Sequence, residues 1–288
     1  MVREMADSIG GALTNIAGIE KPATTLIERV SDAVGGLARP WQIRRVARAE
    51  AEGEIIRAQA RLAISEMEER ALQRMIREEG KKQENMEEIT RKAIPLLAAD
   101  AQPEKMETDW ISNFFDRCRL ISDTDMQALW GRILASEANS PGTVSKKTVE
   151  IVSTLDKLDA EYFTKICAFM WRMPTPALIL PDLEHEVMLD LSLSFEMLSH
   201  LDDIGLLSFQ PVTGFQRNNI TGPIVMSYFS RDVVFSLPAH MIALPIGNAL
   251  FTKSGRQLAA FCGAQPSEVY FAKMMDDWSK AGINTRII

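Results

Sequence analysis

The densest gathering of chemically capable side chains is Asp182-Leu183-Glu184-His185-Glu186, three carboxylates beside one of the chain's 3 histidines. Carboxylates with an imidazole are a ligand set for a divalent metal, and so one route to a metal-dependent hydrolase. Successive residues point in different directions on a helix or a strand, so the five do not converge without help from elsewhere. A solvated, acidic helix start is the better reading. His200 and His240 have no partner pattern near them in sequence. Thr252-Lys253-Ser254-Gly255 has the residue types of a phosphate loop but lacks the upstream glycine spacing that lets backbone amides cradle phosphate. The chain also lacks a Gly-x-Ser-x-Gly elbow, a His-Glu-x-x-His helix, a Cys-x-x-Cys pair and a dinucleotide-binding glycine fingerprint. The expectation is therefore no catalytic residue, no cofactor and no metal.

The elements that would have to position any site begin with residues 1–40, rich in glycine and carrying two short amphipathic patterns. Ile9, Leu13 and Ile16 recur at helical spacing in the first, and Leu26, Val30 and Val34 in the second, which starts at Pro22. These six form a candidate docking face. Their polar side lacks the Lys, Arg and aromatic residues of a strong interfacial helix, which favours docking on protein over docking on a membrane surface. Residues 41–92 alternate in charge and read as one long helix, or a helix with a break near Gly80. A helix over 41–79 would be roughly 60 Å long at about 1.5 Å per residue, too long for a compact domain of this size to cover. A seam through Ile43, Val46, Ile56, Ala60 and Met67 approximates a coiled-coil repeat and is the candidate oligomer interface.

Residues 93–172 carry the largest apolar content. Trp110, Ile111, Phe114 and Phe115 predict one helix. Met126, Leu129, Trp130, Ile133 and Leu134 predict a second, with Ser122 as its cap, and the turn Asn139-Ser140-Pro141-Gly142 ends it. Two further helices are expected near Val149 to Leu155 and from Asp159 to Met170. Residues 173–288 then change character. A strand at Ala177 to Leu180, a helix over Ser194 to Leu206, strand pieces at Val233 to Leu237 and Ile246 to Thr252, and two closing helices suggest a winged-helix-like α+β domain. The expected fold is thus mainly α: a long amino-terminal helix and a helical bundle, followed by that domain.

Composition narrows the function classes. The 288 residues, 46% of them hydrophobic, suffice for a sizeable core, and the net charge of −7 falls mostly in the carboxy-terminal part. The segment Asp190 to Leu206 that would read DNA holds Asp190, Glu196, Asp202 and Asp203 and neither Lys nor Arg, so nucleic acid is not an expected partner. Cys118, Cys167 and Cys262 lie far apart, with neither a zinc nor a disulfide-scaffold spacing, which fits a reducing cytoplasm. No apolar run reaches the length of about eighteen residues that a membrane span needs, and Arg3, Glu4 and Asp7 do not open a signal peptide.

Ile27-Glu28-Arg29-Val30-Ser31-Asp32-Ala33-Val34-Gly35 and Pro40-Trp41-Gln42-Ile43-Arg44-Arg45 resemble the opening of bacterial proteins grouped as domain of unknown function 2806. So do Asp109-Trp110-Ile111 with Phe114-Phe115, then Met126-Gln127-Ala128-Leu129-Trp130, Ile133-Leu134-Ala135, Glu137 and Pro141-Gly142, and finally the phrase Thr252 to Leu258 with Trp278. The middle block is also similar to a helical module of abortive-infection proteins. That likeness implies, by analogy, a role in bacterial defence against phage. The matching positions are helix-packing ones, and no functional residue is carried over.

The function expected from sequence is assembly: a non-enzymatic protein that binds a copy of itself or another protein. A membrane-acting effector working through residues 1–40 is the alternative, which would place the protein at the periphery of the inner membrane. A DNA-binding winged-helix regulator or a metal-dependent hydrolase ranks third.

Overall fold

The computed structural model describes residues 20–34, 66–173, 175–180, 193–218, 220 and 222–288. The chain divides into two compact units, Met1–Val149 and Glu150–Ile288.

The first unit is helical: α1 (Glu20–Val34), α2 (Glu66–Ala93), α3 (Thr108–Cys118), α4 (Thr124–Asn139) and the start of α5 (Lys146–Ser153), with short 3-10 turns at Ile94–Leu96 and Pro103–Lys105. The aromatic cluster read from sequence forms the core. Phe114 stacks on Trp110 with centroids 5.0 Å apart and meets Trp130 edge-on at 5.1 Å. Ile89, Phe114, Trp130, Ile133 and Leu134 have no exposed surface. Helices α2 and α4 approach closely at Gly131, where an added Cβ would come within 2.9 Å of Lys92 Cβ. Asp123, one residue after the expected cap Ser122, closes the start of α4 by accepting from the amides of Asp125 and Met126.

The second unit continues with α6 (Lys157–Cys167), β1 (Met170–Arg172), β2 (Pro176–Leu178), α7 (Phe195–Asp203), β3 (Leu207–Phe209), β4 (Phe215–Asn218), β5 (Ile224–Tyr228), β6 (Arg231–Ser236), β7 (Ala243–Gly247), β8 (Ala249–Phe251), α8 (Lys253–Ala259), α9 (Glu268–Lys280) and β9 (Asn284–Ile287). Five strands form an antiparallel sheet in the order β2-β1-β5-β6-β9, and β3-β8 and β4-β7 make two separate ladders. Alternation sets the faces: Met226, Tyr228, Val233 and Phe235 are buried, while Val225, next to Met226, is exposed. Trp171, Tyr228 and Phe235 meet Phe271 and Trp278 of α9 at ring separations of 5.1–6.0 Å. Ser194 and Thr252 cap α7 and α8 by accepting from the amides of Met197 and Gly255.

Two parts of the expected fold are corrected. Among the described residues the helix of the charged region is Glu66–Ala93, 28 residues, and it passes through Gly80 without a break. An exposed helical glycine costs only about 1 kcal/mol, too little to end a helix whose last turns are packed. Acidic Glu66, Glu68 and Glu69 in its first turn and Arg91 and Lys92 in its last also suit the helix dipole. The long helix expected from Trp41 is therefore not supported, and residues 35–65 lie outside the described ones. The carboxy-terminal region, likewise, is a five-stranded antiparallel sheet with two further ladders rather than a winged helix, which has one small sheet and a wing. Short strands account for the misreading, since β4 (Phe-Gln-Arg-Asn) and β9 (Asn-Thr-Arg-Ile) are too short and too polar to show a period of two.

Candidate interaction surface

Helix α2 changes character along its length. Its carboxy-terminal half packs on α4 through buried Asn85, Ile89, Thr90 and Ala93, and Asn85 donates to the carbonyl of Arg119 at 2.9 Å. Gln127 of α4 completes that buried polar contact, donating to Ile121 O at 2.9 Å and to Asn85 Oδ1 at 3.3 Å. From Glu66 to Lys81 only Leu72 is even partly covered. Met67 is 70% exposed, Met75 59% and Ile76 38%, an unusual state for large apolar side chains on one helix. Ion pairs three or four residues apart hold the rest of this half: Arg70 with Glu66 at 3.6 Å, Arg74 with Glu78 at 3.5 Å and Lys82 with Glu79 at 2.6 Å. Exposed pairs of this kind add only a few tenths of a kcal/mol each. The helix thus presents an apolar stripe framed by charge, with nothing from the described residues laid over it.

Of the expected oligomer seam, Met67 falls on this stripe, while Ile43, Val46, Ile56 and Ala60 lie outside the described residues. The expected docking face divides likewise, with Ile9, Leu13 and Ile16 outside them. Leu26 and Val30 have no exposed surface, and Val34 is half-buried. Helix α1 rests on α3 and on the 103–105 turn, Arg29 donating to the carbonyl of Met106 and Ser112 Oγ to that of Ala33 at 3.0 Å. The apolar side of α1 is therefore covered by the chain itself.

The acidic cluster Asp182 to Glu186 lies outside the described residues. Among the described residues, no group of three or more His, Cys, Asp and Glu is placed to hold a metal, and no helix is long and apolar enough to cross a membrane. His200, unpaired in the sequence reading, has a partner 41 positions away: its Nε2 lies 2.6 Å from Asp159 Oδ1. The other oxygen of Asp159 accepts the amide of Asp156 at 2.9 Å and completes the capping box of α6. One carboxylate therefore caps α6 and ties it to α7, with the Tyr162 ring edge-on to the imidazole at 6.5 Å. A carboxylate that fixes one imidazole nitrogen is a fragment of a general base, but a reaction needs a nucleophile and a stabiliser of developing charge as well. The cysteines, too, are regrouped: burial, with Cys262 nearby, pushes the Cys167 thiol well up, while Cys118 is buried in the first unit. The capping box was the legible part, as two aspartates three residues apart before an apolar run. The pairs were not, because they depend on which helices dock.

The family described as protein of unknown function (DUF2806) matches residues 69–275. The chain belongs to that family. No curated protein and no solved structure shows significant similarity to it. Positions on which the family resemblance rests hold the helical unit together. Glu137 accepts from the amides of Gly142 at 2.6 Å and Val144 at 2.8 Å, and Trp110 Nε1 donates to Val144 O at 2.7 Å. Burial pushes the Glu137 carboxyl above its ordinary range, against the lowering effect of those amides.

Proposed function

We propose that this DUF2806 protein is a non-enzymatic assembly protein whose helix α2 pairs with α2 of a second copy. The observation that carries the reading is the exposed apolar stripe of Met67, Met75 and Ile76 on a helix whose other half is core. At about 100° per residue Met67, Ala71, Leu72, Met75 and Ile76 share one half of the helix surface, an apolar face that the same helix of a second copy can cover. The similarity of the middle block to abortive-infection modules supports setting this assembly in bacterial defence against phage, with the protein working in the cytoplasm.

Light scattering coupled to size-exclusion chromatography on the full chain tests the pairing. The expected result is a dimer that becomes a monomer, with unchanged circular dichroism, in the double variant Met75→Glu, Ile76→Glu. A full chain that is monomeric at tens of micromolar, about the range of weak specific pairing, would overturn it.

A further inference from the structure

Among the described methionines, the two that are exposed, Met67 and Met75, both sit on the solvated half of α2. Met106, Met126, Met173, Met197, Met226 and Met274 are each 9% exposed or less. Met86, further along α2, is half-buried where the helix enters the core. A thioether reacts with an oxidant in its neutral form, so it needs no activating base, and access to the sulfur decides which methionine is oxidised. Oxygen added to a core methionine disrupts close packing, whereas on this half of α2 the fold has no packing to lose. The same oxygen changes what the stripe can dock. A sulfoxide is polar and accepts hydrogen bonds, and the cations beside it, Arg70 and Arg74, are already paired with Glu66 and Glu78. A second copy laid over the oxidised stripe buries that acceptor among Leu72 and Ile76 without a donor.

We propose that Met67 and Met75 form a reversible sulfoxidation site through which a hydroperoxide releases α2 from its partner copy. The release rests on the pairing of α2 proposed above, while the selectivity for these two residues rests on exposure alone. The methionine sulfur attacks one peroxide oxygen, and a sulfur–oxygen bond forms as the oxygen–oxygen bond breaks. The departing hydroxide takes up the proton of the transferred oxygen and leaves as water. The thioether loses two electrons and the peroxide gains them. A dithiol reverses the change: it is oxidised to a disulfide while the sulfoxide oxygen leaves as water, the reaction that methionine sulfoxide reductases catalyse. Pairing covers the stripe, so the oxidant acts on the free copy and keeps it free.

The experiment adds hydrogen peroxide in rising doses to the full chain, maps sulfoxides by peptide mass spectrometry and follows mass by light scattering coupled to size-exclusion chromatography. The expected result is one oxygen on each of Met67 and Met75 before Met106 or Met226 gains any, with the dimer lost in step. Its dissociation constant is expected to rise by about a hundredfold, since each copy then brings unpaired polar groups into the interface. Circular dichroism stays unchanged, and methionine sulfoxide reductases restore the dimer. The variant Met67→Leu, Met75→Leu, close in volume, remains dimeric at the same dose. A chain oxidised at both positions that is still a dimer would overturn this proposal and leave the pairing of α2 standing. So would oxidation of the buried methionines at the same dose, or a leucine variant that dissociates as the native chain does. An untreated chain that is monomeric overturns the pairing itself, and the release with it.

Discussion

Trp171 Nε1 donates to Tyr270 Oη at 2.9 Å, and that hydroxyl donates in turn to the carbonyl of Ile179 at 2.6 Å. Both rings have no exposed surface, so one phenol satisfies an indole and a backbone carbonyl that water does not reach. The contact joins α9 to β1 and to the chain leaving β2, and so fastens the helix to its sheet.

Tyr270→Phe keeps the ring and removes that oxygen. Trp171 loses its acceptor and Ile179 its donor, and leaving buried groups unpaired costs about 1–3 kcal/mol. The expected result is a urea midpoint lowered accordingly, with the fold retained by circular dichroism. An unchanged midpoint would mean that water reaches the indole.

Two glycines should respond in opposite directions. An alanine Cβ at Gly80 would meet nothing within 4 Å, on a helix. Gly80→Ala is expected to raise stability by about 0.5–1 kcal/mol. At Gly255 the added carbon would lie 2.0 Å from the carbonyl oxygen of Leu206, so backbone must move. Gly255→Ala is expected to cost about 1–3 kcal/mol in thermal or urea unfolding. Equal effects at the two sites would contradict the close approach of α8 to Leu206, just before β3.

Glu137 gives a pH signature of definite sign. Its folded-state carboxyl titrates above the ordinary value of 4.5 because it is buried. A raised carboxyl contributes stability that is fully present below the unfolded value and is lost as pH rises through the folded one. The stability difference between the native chain and Glu137→Gln should therefore be most favourable to the native chain below pH 4.5 and shrink as pH rises above it. Urea unfolding of both proteins across that range measures it, and a difference that grows with pH would refute the assignment.

The helical core was readable because helices announce themselves locally. Trp110, Phe114 and Phe115 repeat at helical spacing, and Ser194 and Thr252 sit at cap positions whose hydrogen bonds the structure shows. The sheet was only half legible. Arg231–Ser236 shows its pattern in Val233 and Phe235, whereas Asn284–Ile287 is a strand only because Val233 to Ser236 offers it an edge. Asp159 with His200 and Cys167 with Cys262 were hidden for a related reason: residues far apart meet through helix docking, which no local period encodes.

The borders of the family match, residues 69–275, do not coincide with the borders of what folds together. Leu26 and Val30, fully covered in the helical unit, precede the match, and Trp278 and β9 follow it. A fragment cut to the matched span would leave Val233 and Phe235 without their Trp278 neighbour and turn β6 into a bare, apolar sheet edge. Such an edge recruits strands from other molecules, so precipitation of that fragment would reflect where it was cut rather than any weakness of the whole protein.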